Sequence, residues 1–293
     1  MGIQIRVVES DEDREAWRRV RIAVLPQERC ATVAEMRARR SPTRLLLLAD
    51  LDGELAGSGI ADLSDMAGQV SVAPRVLPGA RRRGVGTALL RALADHAATL
   101  DRPSIGANAD DAVAVAFAER HGFVEVDRQV EQVRAVGAEP RPTPPAGVEI
   151  VTAAERPELW PAAFDRFGAE ATADFVLDRP IRITREQWVA EWLGDQMFLA
   201  VVDGEVIGCA GFDLDADRPD RAEYALTGVR RDWRGRGIAS YLKRLTLSWA
   251  AEHGITEVYT WTQRGNADMR RLNEHLGFTT RQESVTVRRE LPL

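Results

Sequence analysis

Cysteine and lysine are nearly missing from this chain. Its 293 residues include two cysteines, Cys30 and Cys209, one in each half, so a disulfide framework is excluded and a reducing cytoplasmic setting is expected. Lys243 is the sole lysine, and the other basic side chains are arginines. No apolar run approaches the ~18 residues of a membrane span, and the start, Met1 to Arg6, lacks a signal-peptide apolar core. Nor is there an excess of cations: 45 acids against 39 bases leave a net charge of −6, which argues against a nucleic-acid or membrane partner. The four histidines, His96, His121, His253 and His275, show no metal-ligand spacing, so no metal is expected. Two phosphate-binding signatures are absent as well. There is no G-x-G-x-x-G with a downstream acid, which disfavours a Rossmann dinucleotide site, and no Gly-Lys-Ser/Thr of the Walker type.

What is present is a repeat. The length suffices for two domains, each with its own core, and Glu139-Pro-Arg-Pro-Thr-Pro-Pro-Ala-Gly147 divides them. Four prolines in nine residues cannot continue a helix or a central strand and favour an extended spacer. The chain then starts again: Ile3-Gln-Ile-Arg-Val-Val is echoed by Val148-Glu-Ile-Val-Thr-Ala. Asp52-Gly-Glu and Asp203-Gly-Glu, each closing an apolar run, lie 151 residues apart and read as hairpin turns. Val76 and Val229, each leading into an arginine–glycine run, lie 153 apart, and the Gly-Phe pairs at Gly122 and Gly277 lie 155 apart. Four landmarks in one order mean duplication. The expected domains are residues 1–138 and 148–293, with 139–147 as linker.

Each copy reads as a strand, one or two helices, a hairpin, a longer strand, the arginine–glycine turn, a helix, a strand, a helix and a last strand. Ile238, Leu242, Leu245 and Trp249 fall at helical spacing, as do Leu89, Leu93, Ala97 and Leu100. The expected class is therefore α/β (α+β layered), two tandem domains with a mixed central sheet flanked by helices.

The turn is the part that carries chemistry. A helix opening after a glycine bend presents unpaired N–H groups and its positive dipole end to an anion, and arginines add bidentate donors for phosphate. Arg81-Arg82-Arg83-Gly84-Val85-Gly86 and Arg234-Gly235-Arg236-Gly237-Ile238-Ala239 both fit, each between a strand and an apolar-periodic helix. A solvated arginine run or an RNA contact is the alternative, and RNA binding would show a steep salt dependence.

The pattern Val-x-x-x-x-Arg-x-x-Gly-x-Gly/Ala, then a helix, a strand and Gly-Phe, resembles the GCN5-related N-acetyltransferase (GNAT) superfamily in tandem form, over nearly the whole chain. The resemblance is most specific in the second copy, from Thr227 to Ala239 and in Asn266-x-x-Met269-x-x-x-Asn273-x-x-Leu-Gly-Phe278. It implies acetyl-CoA, with the pyrophosphate on the turn and the pantetheine arm along splayed strand edges. The implied contacts are Thr227, Val229, Arg234, Gly235, Arg236, Gly237, Ile238, Ala239 and Ser240, with Asn266 and Asn273 on the next helix. The first copy would offer Val76, Arg81, Arg82, Arg83, Gly84, Val85, Gly86 and Thr87.

The resemblance also implies a glutamate general base six residues before the valine: Glu223 in the second copy, but Val70 in the first. Asp213 and Asp215 are fallback acids. A structural carboxylate, exposed or paired with Arg221, is the alternative for Glu223, and a helix cap is the alternative for Asn266. The usual thiolate-protonating tyrosine is replaced by Asn273 and Ala118, leaving Tyr259, Tyr224 or water as substitutes. The second domain is thus expected to be the catalytic one and the first degenerate. The expected function is an N-acetyltransferase acting on a small-molecule or peptide amine, as monomer or homodimer. A non-catalytic acyl-CoA sensor is the competing class.

Overall fold

A computed structural model describes residues 2–173, 175 and 179–293. In chain order the first copy forms β1 (Ile3–Val7), α1 (Asp11–Val24), α2 (Val33–Ala38), β2 (Leu45–Leu51), β3 (Glu54–Leu63), β4 (Gln69–Val72), β5 (Arg75–Val76), α3 (Val85–Ala98), β6 (Ser104–Ala109), α4 (Ala112–Arg120) and β7 (Val124–Ala135). The second forms β8 (Glu149–Thr152), α5 (Leu159–Ala162), a π-turn over Phe164–Gly168, α6 (Ala169–Ala173), α7 (Arg185–Glu191), β9 (Gln196–Val202), β10 (Glu205–Leu214), β11 (Arg221–Val229), α8 (Ile238–Glu252), β12 (Glu257–Gln263), α9 (Ala267–His275) and β13 (Thr279–Glu290). The proline-rich stretch carries no helix or strand. Among the described residues no helix is long and apolar enough to cross a membrane.

The local chemistry explains the punctuation. Ser10 and Asp13 form a capping box at the start of α1, and Thr184 with Gln187 does the same for α7. Both hairpins turn on Asp-Gly with positive φ at each residue, 55° and 89° at Asp52–Gly53 and 51° and 77° at Asp203–Gly204. That is the turn whose twist matches paired strands.

The compact units do not coincide with the halves cut at the linker. One comprises residues 1–127 and 284–293; the other comprises 128–283. The reason is strand pairing. In the first unit the order is β1-β2-β3-β4-β6-β13, with β13 antiparallel to β6 from Val285–Ala109 to Glu290–Ser104. In the second it is β8-β9-β10-β11-β12-β7, with β7 antiparallel to β12 from Gln263–Gln129 to Glu257–Ala135. Each copy lends its last strand to complete the sheet built by the other.

Both sheets are mixed, with one parallel neighbour pair each, β4–β6 and β11–β12. In the first unit α3 packs Val85, Leu89 and Leu93 against Ala61, Val70 and Ile105, and α1 packs Trp17 with Leu48 on the opposite face. In the second, α8 packs on Tyr224 and Val258, and Trp160, Phe167 and Trp188 form an aromatic layer with Cys209 and Leu226. Trp160 and Trp188 stack at 4.2 Å, each indole N–H donating to the other's backbone carbonyl. Trp188 is therefore core, and α7 is held by it.

Candidate active site

Two strands part at the centre of the second unit. β11 and β12 pair for three steps, Arg221–Glu257, Ala222–Val258 and Glu223–Tyr259, and then diverge toward Val229 and Gln263. Glu223 thus sits at the point of parting, half-buried, and the Tyr259 hydroxyl donates to its Oε2 at 2.9 Å. A charge cluster stands beneath the pair, with Arg221 and Glu131 fully buried and Glu257 and Arg281 partly exposed. The Arg221 guanidinium lies 4.1 Å from the Tyr259 ring centroid and bonds Glu257 at 2.6 Å. Arg281 reaches Glu131 at 2.9 Å and Glu257 at 3.1 Å. Burial works to raise the Glu257 carboxyl, but the bonds and charges of Arg221 and Arg281 outweigh it and hold it below its ordinary value. Arg221 is thus committed to Glu257, and Tyr259, one of the substitute acids, is the phenol on Glu223.

Neighbouring candidates are spent on structure. Tyr224 points to the other face, where its hydroxyl meets Thr246 Oγ1 at 2.7 Å and the Lys243 carbonyl at 3.1 Å, and burial drives its phenol upward. Asp215 is buried and accepts from the backbone N–H of Asp217 and Arg218, a turn cap. Asp213 faces Glu223 across the β10–β11 ladder.

That ladder contains a feature hidden from sequence. Ala210 pairs with Thr227 and Phe212 with Tyr224, so Ala225 and Leu226 oppose the single residue Gly211. This β-bulge turns the backbone of β11 beside Glu223. In the first unit the matching stretch is regular: Ala61 faces Val72, Ser58 faces Arg75, and Ile60 and Ala73 exchange both backbone bonds. Counting back from the valine therefore misplaces the first-copy equivalent by one residue. Val70 points into the α3 core with Ile105, as Ala222 and Val258 do beside α8. Register puts Ser71 and Gly106 where Glu223 and Tyr259 stand. The first copy has neither carboxylate nor phenol there.

The turns match closely. Arg234 Nε donates to the Val229 carbonyl at 2.9 Å, and Arg81 Nε donates to that of Val76 at 3.3 Å. Gly237 and Gly84 take left-handed φ of 78° and 90° as the residues opening α8 and α3. Gly235 has φ of 74°, and its counterpart Arg82 holds 63°, which costs a side chain strain. Surroundings differ. A Cβ at Gly235 or Gly237 would meet nothing within 4 Å, whereas one at Gly84 would meet the Ile3 side chain at 3.3 Å. Arg236 stacks on Trp233 at 4.4 Å, but Arg83 is tied to Asp52 at 3.0 Å. Ile238 and Val85 are buried core residues, so only their backbone can face a ligand, while Ala239, Ser240 and Gly86 are partly exposed. Thr87 is engaged with His121 Nε2 at 3.2 Å.

On α9, Asn266 is the helix cap, its Oδ1 accepting from Met269 N–H at 3.2 Å, as Asp111 caps α4. Asn273 is fully buried and donates to Gln132 Oε1 at 2.9 Å, while its Oδ1 has no partner. Thr227 Oγ1, on the diverging part of β11, is likewise buried, and neither atom has a partner among the described residues. Two orphaned acceptors and an open glycine bend fit a ligand that brings amide N–H groups and a phosphate, as the acetyl-CoA arm does. Among the described residues no group of three His, Cys, Asp or Glu could hold a metal.

The family model for acetyltransferases (GNAT) matches residues 8–123 and 160–278, one match in each copy. The chain belongs to the GNAT family. It is 32% identical over 250 residues to a mycothiol acetyltransferase of Thermomonospora curvata, covering 83% of this chain and 81% of that one. A mycothiol acetyltransferase of Saccharomonospora viridis is 28% identical over 253 residues, covering 80% and 76%. Among solved structures, a tandem GNAT protein from the clavulanic acid biosynthesis pathway superposes with TM-score 0.74 at 20% identity over all of both chains. A GCN5-related N-acetyltransferase from Sphaerobacter thermophilus gives 0.70 at 23%, over 98% and 95%. The tandem GNAT architecture and membership among acyltransferases follow; at these identities the structures speak for the fold alone.

Proposed function

We propose that this GNAT protein transfers the acetyl group of acetyl-CoA to a primary amine of a small acceptor, with the second unit as the working site. The observation that carries the proposal is the Glu223–Tyr259 pair at the point where β11 and β12 part, beside a bulge, with Ser71, Gly106 and a regular ladder at the matching place in the first unit.

Acetyl-CoA, when bound, supplies a thioester carbonyl. The bend from Arg234 to Ser240 and the first N–H groups of α8 would hold its pyrophosphate, and Thr227, Asn266 and Asn273 would line its arm. Glu223 would take the proton an acceptor ammonium must lose, an ordinary pKa of about 10, so that nitrogen can attack. Tyr259 fixes the carboxylate through its hydrogen bond. Backbone N–H groups on β11, where the bulge at Ala225–Leu226 breaks the ladder, would meet charge developing on the carbonyl oxygen. With asparagine at position 273, sulfur would leave as thiolate, an ordinary thiol pKa of about 8.5 making that feasible. The first unit, lacking the pair, would bind CoA weakly or serve structure. The name of the relatives makes a mycothiol-type acceptor the first to assay.

Glu223→Gln tests this. Calorimetric binding of acetyl-CoA should be unchanged while turnover falls by about 10²–10⁴. Unchanged turnover would remove Glu223 from the mechanism, and absent binding by the wild type would remove the cofactor.

A further inference from the structure

The first unit contains a second polar site, on the sheet face away from α3. Ser58 on β3 and Arg75 on β5 are directly opposed in the ladder, so their side chains share a face. Gly57 and Gly59, which flank Ser58, point at Leu89 and Leu93 of α3, which places Ser58 and Arg75 on the α1 side. There Trp17 of α1 donates its indole N–H to the Gly59 carbonyl at 2.9 Å, and the Arg75 guanidinium lies 5.7 Å from the Trp17 ring. Arg21 lies one turn beyond Trp17 on α1, near enough for its charge to act on Arg75.

Three buried polar atoms in this part of the unit have no hydrogen-bond partner among the described residues: Ser58 Oγ, Arg75 Nη1 and Arg21 Nη1. Ser58 is completely buried. Arg21 is held from its other nitrogen, Nη2, by Glu28 at 2.9 Å. Among the described residues Arg75 has no carboxylate in contact, and its side chain keeps some surface exposure while its guanidinium is packed among protein atoms. Burial, and next the charge of Arg21, push its pKa down to about 10, against smaller opposing effects of Glu28 and Asp110. Asp110 accepts from Ser284. A buried guanidinium near another guanidinium, with Glu28 paired to Arg21 and Asp110 accepting from Ser284, is a costly arrangement without an anion. In the second copy Gly228 stands where Arg75 does and faces Phe167.

We propose that Arg21, Arg75 and Ser58 form a binding site for a small oxyanion, a carboxylate or phosphate group, in the first unit. Two guanidinium N–H donors and one hydroxyl match the several lone pairs that such a group presents, and Trp17 supplies an apolar wall. The site is independent of the acetyl-transfer reading and of both arginine–glycine turns.

The test titrates the full chain with sodium phosphate and, separately, sodium acetate, at constant ionic strength set by chloride, following heat and thermal unfolding. The same titrations are run on Arg75→Met and Ser58→Ala. Anion binding at the arginine–glycine turns survives in both variants, so only the difference from wild type counts. At least one anion should bind saturably and raise the Tm. Arg75→Met should abolish that component, and Ser58→Ala should weaken it about tenfold, as for one hydrogen bond to a charged group. A response to acetate alone identifies a carboxylate ligand, and one to phosphate alone a phosphate. Identical titrations in all three proteins, or no response beyond chloride, would overturn the site. Ser58→Ala removes a single buried oxygen, so it remains decisive if Arg75→Met does not fold.

Discussion

Lys243→Met should stabilise this protein near neutral pH and leave it little changed in alkali. The only lysine of the chain sits on α8, 1% exposed, with Nζ 3.7 Å from the Tyr224 ring centroid and 5.6 Å from that of Phe278. Burial pushes its pKa from 10.5 to about 7. The fall to about 7 corresponds to roughly 5 kcal/mol at 1.36 kcal/mol per tenfold, of which repacking around methionine takes back up to about 1.5 kcal/mol. The sign follows from proton counting. Between pH 7 and 10.5 the unfolded chain binds more protons at this residue than the folded one, so stability rises with pH across that window. The cost is complete below pH 7 and gone above 10.5. Methionine keeps the stem's volume and makes sulfur–aromatic contacts with Tyr224 and Phe278. Urea unfolding of both proteins from pH 6 to 10 should therefore show the variant ahead by about 3 kcal/mol at pH 6 to 7, the gap closing toward pH 10. Parallel curves, or a variant less stable at pH 7, would refute the reasoning and mean that the amine is stabilised by contacts beyond the aromatic pair.

Tyr259→Phe removes the donor to Glu223 while keeping the ring against Arg221; kcat should fall several-fold, and the acid limb of the kcat/KM profile should move up by about one pH unit, because a lost hydrogen bond disfavours the carboxylate form. An unmoved limb with reduced stability would make Tyr259 structural only. Gly235→Ala places a Cβ at φ of 74° in open space, so its cost is backbone strain of about 1 kcal/mol in urea unfolding, and Arg82→Gly at the equivalent bend should be neutral or stabilising by up to about 1 kcal/mol. If the two substitutions had equal effects, the bends would not be equivalent.

The legible parts of this protein were those written in local chemistry. Asp-Gly dictates its turn because two left-handed residues in succession admit little else, and the glycine bends before α3 and α8 announce themselves for the same reason. Asn266 before a helical stripe admits a helix cap beside a cofactor contact, and the cap is present. The illegible parts depend on which strands meet. Nothing near Glu131 indicates that it will balance Arg281, 150 residues away, or that Gln132 will receive Asn273. The lending of β7 and β13 to opposite units leaves no local mark either, since a strand's pattern states that one face is buried and not against what.

The one-residue slip at Val70 shows what such blindness does to a functional argument. Counting from the turn assumes that β4–β5 and β11 contain equal numbers of residues between paired positions, and both do have six from the candidate to the valine. The partner strands differ: β3 has six residues from Leu63 to Gly57, but β10 has five from Asp213 to Gly208. The missing residue makes Ala225–Leu226 bulge, and because side chains alternate, it rotates Glu223 from the core face to the face of Tyr259. A glutamate in a regular β11 would point into the core beneath α8, where ionisation is disfavoured and Tyr259 is out of reach. The bulge, a property of β10 and β11 together, thus does as much to make Glu223 a candidate base as the carboxylate itself. Inserting a residue opposite it after Gly211 should restore the regular ladder, turn the carboxylate inward and abolish turnover while acetyl-CoA still binds at the Gly237 bend; full activity in that insertion variant would show that the bulge is dispensable.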